Sequence, residues 1–162
     1  MTKRQVFYSF HYDKDVMRVQ QVRNIGALDD NKPVAPNNWE QVKRAGDASI
    51  HKWIDDNMRW RSCVVVLVGE QTASRRWVKY EIKKAWEDGK GLLAVRIHNL
   101  KCPRNGFGTT GPNPFDGLHF KQGDRLIVPR IHSPNALNPH ADIAANLENW
   151  IEEAIHQRRY QT

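Results

Sequence analysis

The stretch that decides the fold reads CVVVLVG at residues 63–69 and, after four intervening residues, SRRWVKYEIKKAW at residues 74–86. The first run carries no charge, which is typical of a strand buried on both faces of a parallel sheet. In the second run, a rotation of about 100° per residue predicts a helix whose apolar stripe contains Trp77 and Ile82, with Glu81 beside them. Burying a carboxylate at that position is costly unless a partner pairs with it or a reaction uses it.

Strand-like and helix-like segments alternate along the rest of the chain. The predicted strands are Gln5–Phe10, Leu92–Ile97 and a last short one at Leu126–Val128. Helices are predicted after an N-cap within residues 12–15 as far as a stop at Gly26, from Gly46-Asp47 onward, and at the C-terminal end after an Asn138 cap. The polar, Pro- and Asn-rich residues 27–45 are long for a connection, which is typical of a functional loop. Because two strands are apolar on both faces, we predict an α/β fold with a central parallel sheet and helices on both faces.

Length and composition indicate one domain, spanning residues 1–162. No apolar run approaches the roughly 20 residues that span a bilayer, and the N-terminal residues contain no signal-peptide core, so we expect a cytoplasmic protein without a membrane partner. Cys63 and Cys102 show neither metal nor redox spacing. The net charge of +7 favours anionic partners, but the basic residues are dispersed, which makes nucleic acid an unlikely partner.

Several common site motifs are missing from the sequence. There is no GxGxxG or Walker-type loop, which argues against a Rossmann dehydrogenase or a P-loop NTPase, and no GxSxG nucleophile elbow. The seven histidines are scattered without ligand spacing, so no metal site is expected.

Ligands of parallel α/β sheets bind at the carboxyl ends of the strands. Trp77 and Glu81 lie in the first turns of the helix that leaves one such end. Two interpretations of this pair remain open. In the first, Trp77 is part of the core and Glu81 pairs with a lysine such as Lys84 or Lys52. In the second, both side chains shape a ligand site.

A family resemblance bears on that choice. The first strand has an aromatic-Ser-aromatic ending, Gly46-Asp47 precedes an amphipathic helix, and Trp77 and Glu81 form a W-x-x-x-E element after the apolar strand. In this order and spacing, residues 6–97 resemble a TIR domain. Residues 15–24 are similar to the bacterial TIR-like proteins of the Thoeris anti-phage system. The resemblance implies a flavodoxin-like (TIR-like) three-layer fold.

The resemblance also implies NAD⁺ as the substrate, with no separate cofactor. Carried over by position, it makes Glu81 the catalytic residue and places Trp77 along the pocket. The residues ending the first strand would contact the nucleotide, and the loop before the second helix would close over it; the substrate-binding candidates are therefore Ser9, Phe10, His11, Asp47 and Trp77. Many TIR domains carry an arginine where this chain has His11.

For function, the resemblance implies an NAD⁺ nucleosidase and ADP-ribosyl cyclase that acts as a homo-oligomer. Its cyclic or modified ADP-ribose would activate a separate effector during phage infection. The alternative is a non-enzymatic TIR-type interaction module; such adaptors often lack the glutamate, so the presence of Glu81 favours the enzyme. A basic domain that binds nucleic acid is a third, weaker hypothesis.

Overall fold

The computed structural model describes residues 5–23, 44–102 and 106–160, without the side chains of residues 12–14 and 160. Its strands are β1 (Val6–Ser9), β2 (Cys63–Val68), β3 (Gly91–Arg96), β4 (Phe120–Gln122), β5 (Arg125–Ile127) and β6 (Arg130–His132). Its helices are α1 (Tyr12–Arg23), α2 (Asp47–Met58), α3 (Arg76–Glu87) and α4 (Pro139–Tyr160). A short 3₁₀ turn, Thr72–Ser74, leads into α3.

The main sheet of the described residues is parallel throughout, in the order β1-β2-β3-β6. Strand β2 lies between β1 and β3, and all six of its residues are buried. Ser9 pairs with Val66, and Val68 pairs with Arg96, so three strands end near one another at the same edge. This edge, the carboxyl edge below, is where α2 and α3 begin and where ligands of such sheets bind.

Helices cover both faces of the sheet. On one face, α1 and α4 bury residues such as Val19 and Leu147 against the odd-numbered positions of β2. On the other face, α2 and α3 bury Ile54, Met58 and Ile82 against its even-numbered positions. The three-layer α/β prediction is therefore confirmed, and a continuous apolar strand is what a sheet covered on both faces requires. No helix in the described ranges is both long enough and apolar enough to cross a membrane.

Helix starts agree closely with the sequence. Helix α2 begins at Asp47, directly after Gly46, whose φ of +98° is a backbone conformation that glycine adopts without strain. The cap predicted for the C-terminal helix is also confirmed, since the Asn138 side-chain oxygen accepts a hydrogen bond from Ala141 N at 3.4 Å. The predicted stop at Gly26 and nearly all of the 27–45 loop lie outside the described residues.

The short strand predicted at residues 126–128 is present as β5, but it is not the last strand of the chain. Residues 126–128 do not join the parallel sheet; β5 pairs antiparallel with β4 in a separate hairpin, and Leu126 and Val128 are exposed. The strand that continues the main sheet is β6, which pairs with β3. Strand β6 is three residues long, too short for an alternation of apolar and polar residues to identify it.

Candidate functional site

The site centres on Glu81, near the middle of α3. Val78, Ile82 and Ala85 are buried on the same face of that helix, and they hold it against the sheet. Glu81 shares this face and is only 7% exposed. Its Oε1 accepts a hydrogen bond of 3.4 Å from the hydroxyl of Ser9, which is fully buried at the end of β1. The packing of α3 therefore brings a carboxylate to the carboxyl edge.

The electrostatics of Glu81 are those of an acid without a counter-ion. Burial raises the pKa of Glu81 well above its ordinary value, and the Ser9 hydrogen bond lowers it only in part. Within the described parts of the chain, Glu81 forms no salt bridge. Lys84, one lysine considered as its partner, instead pairs with Asp55 at 3.8 Å and Asp88 at 3.2 Å. The interpretation in which Glu81 pairs with Lys84 is thus wrong. Buried acids without a counter-ion are common in functional sites.

Trp77 lies one turn before Glu81 and is half-buried. Its ring meets the ring of His51 in α2 edge-to-face, with centroids 4.9 Å apart. The guanidinium of Arg76 lies 4.6 Å from the centroid of the Trp77 ring and also forms a 2.8 Å salt bridge with Asp47. The structure therefore brings the predicted residues Asp47 and Trp77 together, with Arg76 between them.

Phe10 and His11 follow Ser9 but do not join Trp77. Phe10 is half-buried and packs against the α1–α4 layer, on the opposite face of the sheet from Trp77. His11 is 8% exposed, and its carbonyl accepts the first hydrogen bond of α1, from Asp15 N at 3.0 Å. Their contact with a nucleotide stays a prediction, as do the substrate contacts of Ser9, Asp47 and Trp77.

Sequence analysis missed a buried arginine at the same edge. Arg18 of α1 is 6% exposed and donates hydrogen bonds to the carbonyls of Leu100, at 2.8 Å, and Gly106, at 3.0 Å. It also pairs with the buried carboxylate of Asp15 at 3.4 Å. Arginines in amphipathic helices normally lie in solvent. The position of Arg18 in the sequence therefore did not indicate that it would be buried and would hold a distant loop.

The loop after β3 packs closely on the loop after β2. A Cβ atom added to Gly111 would lie 2.0 Å from the carbonyl oxygen of Gly69. Only glycine allows the two backbones to approach so closely. Arg18 and Gly111 together hold the described residues of the loop after β3 across the α1 side of the carboxyl edge, which leaves Glu81 and Trp77 on the α2–α3 side.

Two cavities lie away from Glu81. One, of about 680 Å³, lies between α3 and residues 112–120, and the other, of about 520 Å³, lies between β6 and α4. Neither is lined by Glu81 or Ser9. Because Glu81 is 7% exposed, a substrate that reaches it must displace neighbouring groups at the carboxyl edge. No three His, Cys, Asp or Glu side chains of the described ranges gather into a cluster that could hold a metal ion.

Two comparisons with known proteins identify the family of the chain. The family model described as Thoeris protein ThsB, TIR-like domain, matches residues 7–102, which include Ser9, Trp77 and Glu81. A protein of Bacillus cereus (strain MSX-D12), named "Putative cyclic ADP-D-ribose synthase ThsB1", is 38% identical over 127 residues. That match covers 75% of this chain and 65% of the relative, so the chain matches somewhat less than two thirds of the relative's length. Since the family model spans more than half of the 162 residues, the chain belongs to the family of Thoeris ThsB TIR-like domains.

Proposed function

We propose that this chain is an NAD⁺ nucleosidase and ADP-ribosyl cyclase that makes a cyclic or modified ADP-ribose messenger in anti-phage defence. The observation that carries the proposal is Glu81, a buried carboxylate at the carboxyl edge with no counter-ion among the described residues. The product named for the Bacillus cereus relative supports this class of reaction. NAD⁺ is the substrate rather than a cofactor, and the reaction takes place in the cytoplasm.

The first step breaks the bond between C1′ of the ribose and the nicotinamide nitrogen. The bonding electron pair leaves with nicotinamide, which becomes a neutral amide, so no strong general acid is required. Positive charge develops on C1′, and the Glu81 carboxylate stabilises it in a water-poor site, where such electrostatic effects are strongest. The positive nicotinamide ring of bound NAD⁺ also favours the ionised form of Glu81, which opposes the effect of burial on its pKa.

The second step supplies an electron pair to C1′. Water forms the new bond through its oxygen and releases one proton, which gives ADP-ribose. A nucleophilic atom of the same ADP-ribose gives a cyclic product instead, provided that the site folds the nucleotide back and excludes water. The half-buried ring of Trp77 offers a stacking surface for one base of that folded nucleotide.

The decisive experiment is mass spectrometry of NAD⁺ incubated with concentrated protein. Wild type releases nicotinamide and forms an ADP-ribose product, whereas Glu81→Gln loses about 10²–10³-fold or more of the rate. The matched control is Glu87→Gln on the same helix, since Glu87 is largely exposed and pairs only loosely with Lys83, at 3.9 Å. Full activity in Glu81→Gln contradicts the assignment. Self-association of wild type without nicotinamide release supports the interaction module instead.

The proposal includes self-association, which the family resemblance implies for the active enzyme. Specific activity then rises with protein concentration, in parallel with the oligomer fraction measured by light scattering. A strictly monomeric preparation that turns over NAD⁺ at full rate contradicts this part of the proposal. The product, separated from the protein by filtration, is expected to activate the separate effector.

A further inference from the structure

We propose that Arg76 binds the pyrophosphate of the substrate. Before the substrate binds, the Arg76 guanidinium forms a salt bridge with Asp47, and the pyrophosphate then replaces the Asp47 carboxylate. The inference rests on the proposed function, and it deepens it by naming the group that recognises the phosphates. Arg76 is the first residue of α3, so it lies at the carboxyl edge. Glu81 follows five residues later, about 7.5 Å along the helix axis. The two positions are about 140° apart around that axis, and the Arg76 guanidinium reaches toward the Glu81 side by stacking on Trp77.

The Arg76 guanidinium is held in place before any anion arrives. Its carbon lies 4.6 Å from the centroid of the Trp77 ring. An arginine stacked on an aromatic ring keeps its planar fork of donors free at the edge, in the geometry that suits a phosphate. The half-buried indole in turn packs edge-to-face on His51, so the surface that carries the guanidinium is itself fixed.

The bond between Arg76 and Asp47 is short but solvated. The atoms are 2.8 Å apart, while the two side chains are 66% and 60% exposed. Pairs this exposed contribute little to stability, so a ligand with two negative charges displaces Asp47 easily. Asp47 then keeps the guanidinium aligned between substrates and competes with weakly charged anions.

Two other arginines at this edge, Arg18 and Arg75, form different contacts from Arg76. Arg18 is buried and donates to the carbonyls of Leu100 and Gly106. Arg75 donates to the side chain of Gln71 at 2.7 Å, and it does not stack on Trp77. Arg76 therefore combines exposure, a fixed orientation and proximity to the W-x-x-x-E face.

The test compares Arg76→Gln, Asp47→Asn and, as the matched control, Arg75→Gln. Arg75 is adjacent, exposed and equally charged, so the control preserves the change in net charge. Nicotinamide release is measured against NAD⁺ concentration. We expect Arg76→Gln to raise KM about tenfold or more while kcat changes far less, as for the loss of a charged hydrogen bond in binding. Arg75→Gln stays near wild type, and Asp47→Asn lowers KM because the competing carboxylate is gone.

Two results overturn the proposal. One is an Arg76→Gln variant that behaves like Arg75→Gln. The other is an Asp47→Asn variant whose KM is unchanged or raised, since Asp47 would then not compete with the substrate for Arg76. If wild type releases no nicotinamide, the proposed function fails, and calorimetry with ADP-ribose decides this inference separately. Weaker binding by Arg76→Gln than by Arg75→Gln supports it, and equal binding or none refutes it.

Discussion

Replacing Glu81 with glutamine is expected to stabilise the protein at neutral pH, by an amount that grows with pH. Glutamine has almost the same shape, and its carbonyl oxygen can still accept the hydrogen bond that Ser9 donates. What the substitution removes is a carboxyl whose pKa is raised by burial. Above the ordinary pKa of 4.5, the unfolded chain has lost this proton while the native state still holds it. Unfolding then releases a proton, so the free energy of unfolding of wild type falls as pH rises.

The size of the effect follows from linkage. Between pH 4.5 and the raised pKa of Glu81, the free energy of unfolding of wild type falls by about 1.4 kcal/mol per pH unit relative to the glutamine variant. For 162 residues, an unfolding entropy of about 2.1 cal/mol/K per residue converts this into about 4 °C of Tm per pH unit. Below pH 4.5 the two proteins have similar Tm values, and above the raised pKa the difference stops growing.

Calorimetric or fluorescence melts of both proteins at several pH values measure the difference directly. Other titrating groups cancel, because both proteins contain them. Glu87→Gln is the control; its largely exposed carboxylate keeps most of its water in the folded state, so its Tm difference from wild type is small and does not grow with pH. The reasoning is refuted if Glu81→Gln melts at the same temperature as wild type across the range, or at a lower one near neutral pH.

Two further predictions concern residues that support the site. Ser9→Ala removes the hydrogen bond that lowers the pKa of Glu81, so the acid limb of kcat/KM for NAD⁺ should move to higher pH; an unmoved limb, or one shifted to lower pH, contradicts this role. Arg18→Met keeps an unbranched apolar stem but leaves the buried Asp15 carboxylate without this arginine and removes the donors to the carbonyls of Leu100 and Gly106. It should lower the free energy of unfolding in urea by about 3–5 kcal/mol, and a loss under about 1 kcal/mol contradicts the structural role of the pair.

Much of the fold could be predicted because its signals are local. A short uncharged apolar run such as residues 63–69 predicts a strand that is covered on both faces of a sheet. The rotation of a helix per residue likewise predicted that Glu81 would share the buried face of α3. Gly46 marked the start of α2, because a positive φ there favours glycine. The family resemblance joined these local signals into one site.

The short strand at the end of the sheet and the hairpin before it were not predictable in the same way. A three-residue strand such as β6 carries too few positions to show a period, and its place is set by pairing with β3. The apolar residues of β5 resembled a buried strand, yet Leu126 is 58% exposed. The local preference for a strand was right there, but the sheet to which the strand belongs was set by its pairing with β4.

The sequence alone determined which faces of β2 and α3 are buried, and that a carboxylate lies on one of them. Only the tertiary structure decided what meets that carboxylate. Ser9 lies 72 positions before Glu81, and Arg18 reaches carbonyls 82 and 88 positions away. Periodicity specifies the direction in which a side chain points along its own element. The distant atom at the other end of a hydrogen bond is set by how helices and strands pack together.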